Sequence, residues 1–370
     1  MTPRIRVSLI FLIHGLVVAT WVSRIAEVQK SLALAPGMFG TILLAAAAGS
    51  LFSLPLTGRL IDRRGSGPTT LYSSVAFCVA LPLLGWASSP TALSAALFVC
   101  GAAAGSMDVS MNAQAVAVEQ RSGRSMMSSF HALFSGGGMV GAALGGFVAS
   151  RGVSPLTHFA TAAVVLSMLA MVSARQLVED HAHGSAPSFS ILRIPRRAFA
   201  LAAVAFIFFM VEGAMGDWDA IYLREFLGSG PGTAALGYAA FSFTMLIGRL
   251  VGDTVIARLG RSRTVRVFSL IAAAGLAVAT AAWNVPVALF GFALVGAGCC
   301  VIVPVAFAGA GRISEMSKGA GIAAVSGAGY IGLLLGPPLV GFTAQVFSLR
   351  IALALLVLLT VSVAMLTQEN

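Results

Sequence analysis

The stretch Gly105-Ser106-Met107-Asp108-Val109-Ser110-Met111-Asn112-Ala113-Gln114-Ala115 places a carboxylate four residues ahead of an amide inside an apolar run. On a helix, residues four apart share a face. Asp108 and Asn112 would thus present an acid beside a hydrogen-bonding amide, a pairing suited to reversible proton binding and recognition of a polar solute. Gln114 is a further candidate for solute binding. His14, His131 and Glu212 also lie in apolar surroundings. Histidine titrates near neutral pH, so His14 and His131 join Asp108 and Glu212 as candidates for proton coupling. Asp217 and Trp218 follow Glu212 closely and are candidates for solute contact, Trp218 by stacking or as an interfacial anchor. Arg249 and Asp253, four apart, are expected to pair with each other.

Covalent and nucleotide-driven chemistry find no support. The sequence has no Gly-x-Ser-x-Gly and no His-Glu-x-x-His. Its lysines are Lys30 and Lys318, and neither follows glycine as a phosphate-binding loop requires. Cys78, Cys100, Cys299 and Cys300 all lie in apolar runs and read as packing residues. No enzyme activity, cofactor or metal is expected.

The elements that must position these groups are membrane helices. Of 370 residues, 58% are hydrophobic and only 10% charged, and the mean hydropathy is +0.93. Soluble domains carry about 25% charged residues, whereas a spanning helix needs roughly 20 mostly apolar ones. Apolar segments near 6–28, 38–60, 68–88, 91–119, 125–150, 155–176, 198–226, 232–257, 264–283, 285–310, 318–346 and 348–366 predict twelve such helices. Barrel strands would alternate in polarity, and these runs do not. The first run follows Arg4 and Arg6 without a small-residue cleavage site, so it reads as a helix rather than a leader. The polar segment 178–197 is expected to be a cytoplasmic linker between six-helix bundles spanning 1–177 and 198–370.

Charge sets the expected orientation. With both termini cytoplasmic, seventeen basic residues fall in cytoplasmic segments and five outside, Arg24, Lys30, Arg151, Arg224 and Arg350. The positive-inside rule favours that arrangement. It also accounts for the net charge of +10 without a nucleic-acid partner. Trp21, Trp86, Trp218 and Trp283 then fall toward the outer side, as interfacial anchors do. At the helical rise, Asp108 lies about 18 Å from the cytoplasmic end of its span, Glu212 roughly 21 Å and His131 about 10 Å. An ionisable residue at such depth costs at least ~2.5–3.5 kcal/mol, which makes each a functional candidate.

The halves echo each other. Arg63-x-Gly65 recurs as Arg258-x-Gly260, and Ser135, Gly136, Gly138, Gly141 and Gly145 recur as Ser326, Gly327, Gly329, Gly332 and Gly336. Two six-helix halves related by a parallel repeat form a known transporter plan, with the solute held at mid-membrane between them. Residues 58–68, Gly-Arg-Leu-Ile-Asp-Arg-Arg-Gly-Ser-Gly-Pro, resemble the loop signature of the major facilitator superfamily at Gly58, Asp62, Arg63 and Gly65. The resemblance implies a cytoplasmic gate made by Gly58, Asp62, Arg63, Arg64 and Gly65 with Arg258. In the second copy Ala257 stands where the acid would be.

Asp108 and Asn112 are similar to the acid and amide of the fucose-permease-like branch, in which a sugar enters with a proton. Here the acid is Asp rather than Glu, and Asn112 is followed by Ala113 rather than Pro. Gly137, Gly141, Gly145 and Gly146 resemble a superfamily antiporter pattern, with Ala142 in place of its Pro. The expectation is a monomeric, all-α secondary transporter of the bacterial inner membrane. Its partners would be a small polar solute, protons and the lipid bilayer. The symport of a sugar-like solute is the leading expectation, and export of amphipathic compounds in exchange for protons the alternative.

Overall fold

A computed structural model describes residues 1–123, 126–175, 177–178, 195–310, 313 and 318–366. Residues 179–194 of the expected linker, and Arg124, Arg193 and Arg312, lie outside the described residues. The described elements are helices. In the first half they are α1 (Pro3–Val22), α2 (Ile25–Ser31), α3 (Pro36–Arg64), α4 (Ser66–Trp86), α5 (Pro90–Ser122), α6 (Met127–Ser150) and α7 (Pro155–Ala174). The second half holds α8 (Arg196–Glu225), α9 (Pro231–Ala234), α10 (Leu236–Leu259), α11 (Arg261–Ala281), α12 (Val285–Cys299), α13 (Ile302–Ala310), α14 (Lys318–Val346) and α15 (Leu349–Leu366). Among the described residues, eleven helical stretches are long and apolar enough to cross a membrane, and a shorter apolar helix, Leu349–Met365, follows them. They form two pseudo-symmetric six-helix bundles. The α1–α2, α9–α10 and α12–α13 pairs each make one crossing in two pieces.

Local chemistry sets the helix ends. Pro3, Pro36, Pro90, Pro155 and Pro231 open their helices, where a missing N–H does no harm. The Ser89 and Ser154 hydroxyls and the Asn284 side-chain oxygen accept from the backbone N–H groups of Ala92, Thr157 and Val287. Gly65 and Gly260 end α3 and α10 with φ of 83° and 75°, a conformation that favours glycine. Each N–H closes on a carbonyl one turn back, Ile61 and Ile256 respectively. The repeated Arg-x-Gly is therefore a repeated helix stop.

Between helices the packing relies on missing side chains. A Cβ on Gly137 would collide with the Leu12 carbonyl of α1, and one on Gly332 with the Phe206 carbonyl of α8. The same relation joins Gly101 of α5 to Ala46 of α3, and Gly296 of α12 to Phe241 of α10. Without a hydrophobic drive between helices, close backbone approach is what holds a membrane bundle together. The glycines that resemble an antiporter pattern belong here: Gly141 lies against Leu16 and Ala19, and Gly145 against Ser23.

The two halves meet along α3 with α14 and α6 with α10. Contact is tight at the face opposite the chain's start. There the Gly37 N–H donates to Gln345 Oε1 at 3.0 Å. A Cβ on Gly40 would lie 2.5 Å from the Pro337 carbonyl, and one on Gly146 2.6 Å from the Gly232 carbonyl. At the other end of α3, a Cβ on Gly58 would meet nothing within 4 Å.

Gly137→Leu should destabilise the fold by about 1–3 kcal/mol or more through overpacking. Thermal unfolding in detergent should show a lower midpoint for it and an unchanged midpoint for Gly58→Ala.

Candidate functional site

α5 carries Asp108 and Asn112 at half-buried positions. The Asn112 amide donates to the Asp108 carboxylate at 3.2 Å and to the Asp108 carbonyl, one helical turn back, at 2.8 Å. From the opposite half, Tyr330 of α14 is close enough to Asp108 to influence it electrostatically. The Tyr330 ring lies against Phe209 of α8, centroids 6.1 Å apart. Phe209 lies three residues before Glu212 on α8.

Glu212 is tied to Arg249. The guanidinium of Arg249, on α10, lies 3.9 Å from Glu212 Oε2. It also donates to the Ser135 hydroxyl at 2.8 Å and the His131 carbonyl at 3.3 Å, both on α6. The arginine thus holds acceptors from both halves. Its expected pairing with Asp253 does not occur: Asp253 is exposed, whereas Arg249 is drawn to Glu212 and to the acceptors of α6. Glu212 Oε1 is buried without a hydrogen-bond partner, so the pair leaves the acid only partly satisfied.

The remaining candidates are distributed differently from the sequence expectation. His131 contributes its carbonyl, and its ring meets Phe11 edge-on at 5.2 Å. His14 is buried between Phe77 and Phe134, each 5.4 Å away, and its Nδ1 has no partner. Asp217 is half-buried. Trp218 is not an interfacial anchor: it is wholly buried and meets Phe39 of α3 edge-on at 6.0 Å, across the seam between the halves. Trp86 and Trp283 are 75% and 79% exposed. Gln114 is fully buried and engaged with α4 and with the first residue of the expected linker. Its amide donates to the Ser66 hydroxyl at 2.5 Å and the Val178 carbonyl at 2.8 Å, and accepts from the Val178 N–H at 2.9 Å.

At the end of α3, Asp62, Arg63 and Arg64 are exposed, as is Arg258 at the end of α10. The salt bridges among the described residues do not include Asp62, so the expected gate is not latched in this conformation. Across the molecule, Arg24 is enclosed. It lies 1% exposed at the break between α1 and α2, bonded to Glu27 at 2.8 Å and the Val153 carbonyl at 2.6 Å.

Paired bundles with polar groups along their seam define a transporter architecture rather than an enzyme's. The sequence profile of the Major Facilitator Superfamily matches residues 7–275 and 201–368. An MFS-type transporter of Yersinia pestis is 35% identical over 364 residues, covering 98% of this chain and 94% of its own. Membrane protein MosC of Rhizobium meliloti is 30% identical, covering 96% of this chain and 86% of its own. The crystal structure of the nucleoside transporter NupG superposes over 100% of both chains with a TM-score of 0.74 at 13% identity. A bacterial homologue of the human lysosomal transporter Spinster, inward-facing and occupied, gives 0.71 at 16% identity over 98% of this chain and 95% of its own. The chain belongs to the Major Facilitator Superfamily and is an integral membrane transporter.

Arg249→Met removes the cation and leaves Glu212 in low dielectric, which should lower stability by about 3 kcal/mol. The double variant Glu212→Gln, Arg249→Met should recover part of that loss, read as the midpoint of thermal unfolding in detergent.

Proposed function

We propose that this transporter is a proton-coupled symporter of a small polar, sugar-like solute, working by alternating access. The observation that carries the reading is Asp108, an acid within the membrane held by Asn112 of its own helix and faced by Tyr330 of the other half. A proton on Asp108 removes a charge that the hydrocarbon disfavours, while Asn112 and Tyr330 offer donors and acceptors to solute hydroxyls. Binding at that contact engages both halves at once. Glu212 with Arg249 forms the second charged station, and Asp217 lies further along the same helix. His14, enclosed by aromatic rings, and Gln114, bonded to Ser66 and Val178, fit structural roles better than solute contact. Asp62, Arg63, Arg64 and Arg258 would latch the opposite end in the other conformation.

In this reading the protein is a monomer in a bacterial inner membrane with both termini cytoplasmic. Units 1–177 and 198–370 rock about the linker 178–197. The basic residues gathered on the terminal face support that orientation. The exporter alternative draws on the glycines of α6, and their close fit against α1 gives them a packing role.

Vesicles loaded with a pH dye should acidify inside when the transported polar solute is added outside. Alkalinisation would instead establish proton exchange. Asp108→Asn should abolish both solute-driven acidification and uphill accumulation while solute counterflow persists. Normal accumulation by this variant would overturn the assignment.

A further inference from the structure

One buried acid has no part in the pathway so far. Asp219 lies on α8 just beyond Trp218, toward the face where the halves are in tight contact. Its side chain is 0% exposed. Oδ1 accepts from the N–H of its neighbour Ala220 at 2.5 Å, and Oδ2 has no hydrogen-bond partner. The carboxyl is pressed onto α10, where a Cβ on Gly237 would lie 2.8 Å from Oδ2. The ionisable groups that influence it are Asp217 on its own helix and Tyr238 on α10. Neither is a cation, and the salt bridges among the described residues do not include Asp219.

The carboxyl is enclosed by α8 and α10 of the second half, and its neighbours on these helices reach the seam. A Cβ on Gly138 of α6 or Gly216 of α8 would touch the Tyr238 ring at 3.4 and 3.8 Å. Trp218 meets Phe39 of the first half. The residues flanking Asp219 and its α10 partner therefore reach the other bundle. An ionised carboxylate without a cation or a full set of donors is strongly disfavoured in such a place, whereas the acid form is tolerated.

We propose that Asp219 is a proton-binding lock, so that the halves close at the face opposite the termini only when its carboxyl carries a proton. Opening admits water, the O–H bond breaks heterolytically and the proton passes to water at that face. The remaining carboxylate opposes closure until a proton returns. The proton enters and leaves on one side, so Asp219 licenses closure without carrying a proton across. The lock shares with the function proposed above only the alternation of the halves, and the coupled proton stays with Asp108.

The test uses the full chain in lipid nanodiscs with spin labels on Ser31→Cys and Thr233→Cys. Both sites are exposed, one in each half, and the native cysteines are buried. The distance between labels should lengthen from acidic to alkaline pH in the otherwise wild-type protein. Asp219→Asn should abolish that lengthening and stay closed, whereas Asp217→Asn should retain it. Asp219→Leu fills the site without a titratable group and must behave as Asp219→Asn does, which covers poor folding of either variant. One protonated-carboxyl component of the infrared spectrum of the closed wild type should be missing from Asp219→Asn. A wild-type pH response in the Asp219 variants, or an unchanged infrared band, would overturn the lock. If solute-driven acidification is absent from the wild type, the symport reading fails, and the label distances still decide the lock.

Discussion

A guanidinium held within the membrane is the constraint around which the seam is arranged. An uncompensated charge there costs at least ~2.5–3.5 kcal/mol, and Arg249 meets that demand with acceptors from both bundles. Glu212 comes from its own half, and the Ser135 hydroxyl and His131 carbonyl come from the other. An arginine satisfied in this way resists separation of α6 from α10. Movement of the halves must therefore supply replacement partners, either water or a solute. The same requirement applies to Asp108, whose carboxylate accepts from Asn112 and has Tyr330 of the other half nearby. Polar groups shared between the halves are the means by which a small solute or proton can bias a large rearrangement, because it binds the two arrangements unequally.

The bundles can act as rigid bodies because their internal contacts are backbone against backbone. Gly101, Gly137, Gly296 and Gly332 bring helices together where a single Cβ would collide. At the seam the glycines act differently. Gly40, Gly146 and Gly341 permit contact that exists only when this face is closed. One residue type thus fixes the interior of each half and allows a separable fit between them. The symmetry of the two halves follows from repeated local rules, such as the paired helix stops at Gly65 and Gly260.

Much of this was legible from the sequence. Span number, helix starts at proline and the half-repeat follow from apolar length and local chemistry, which a linear reading captures. The acid and amide at Asp108 and Asn112 were legible because they share one helix. What escaped involved distant segments. Arg249 was matched with Asp253, four residues away, yet its partners lie 37 and 114 positions back in the chain, at Glu212 and Ser135. Tyr330 gave no signal, since its role depends on α14 reaching α5. Trp218 looked like an interfacial residue because depth along a helix does not reveal which face meets the other bundle. Gln114 shared a stretch with the candidate site but points toward Ser66 and Val178. The breaks near Arg24 and Val301 carry no proline or glycine at the break itself.

The central claim is that Asn112 lies on a path reached from one membrane face at a time. Asn112→Cys in sealed vesicles of known orientation tests it with a membrane-impermeant thiol reagent, since the native cysteines are buried. Modification should proceed from the face bearing the termini. Adding Gly40→Leu, which obstructs closure of the opposite face, should transfer modification to that opposite face. Reaction from neither face, or from the terminal face alone in both proteins, would contradict the account.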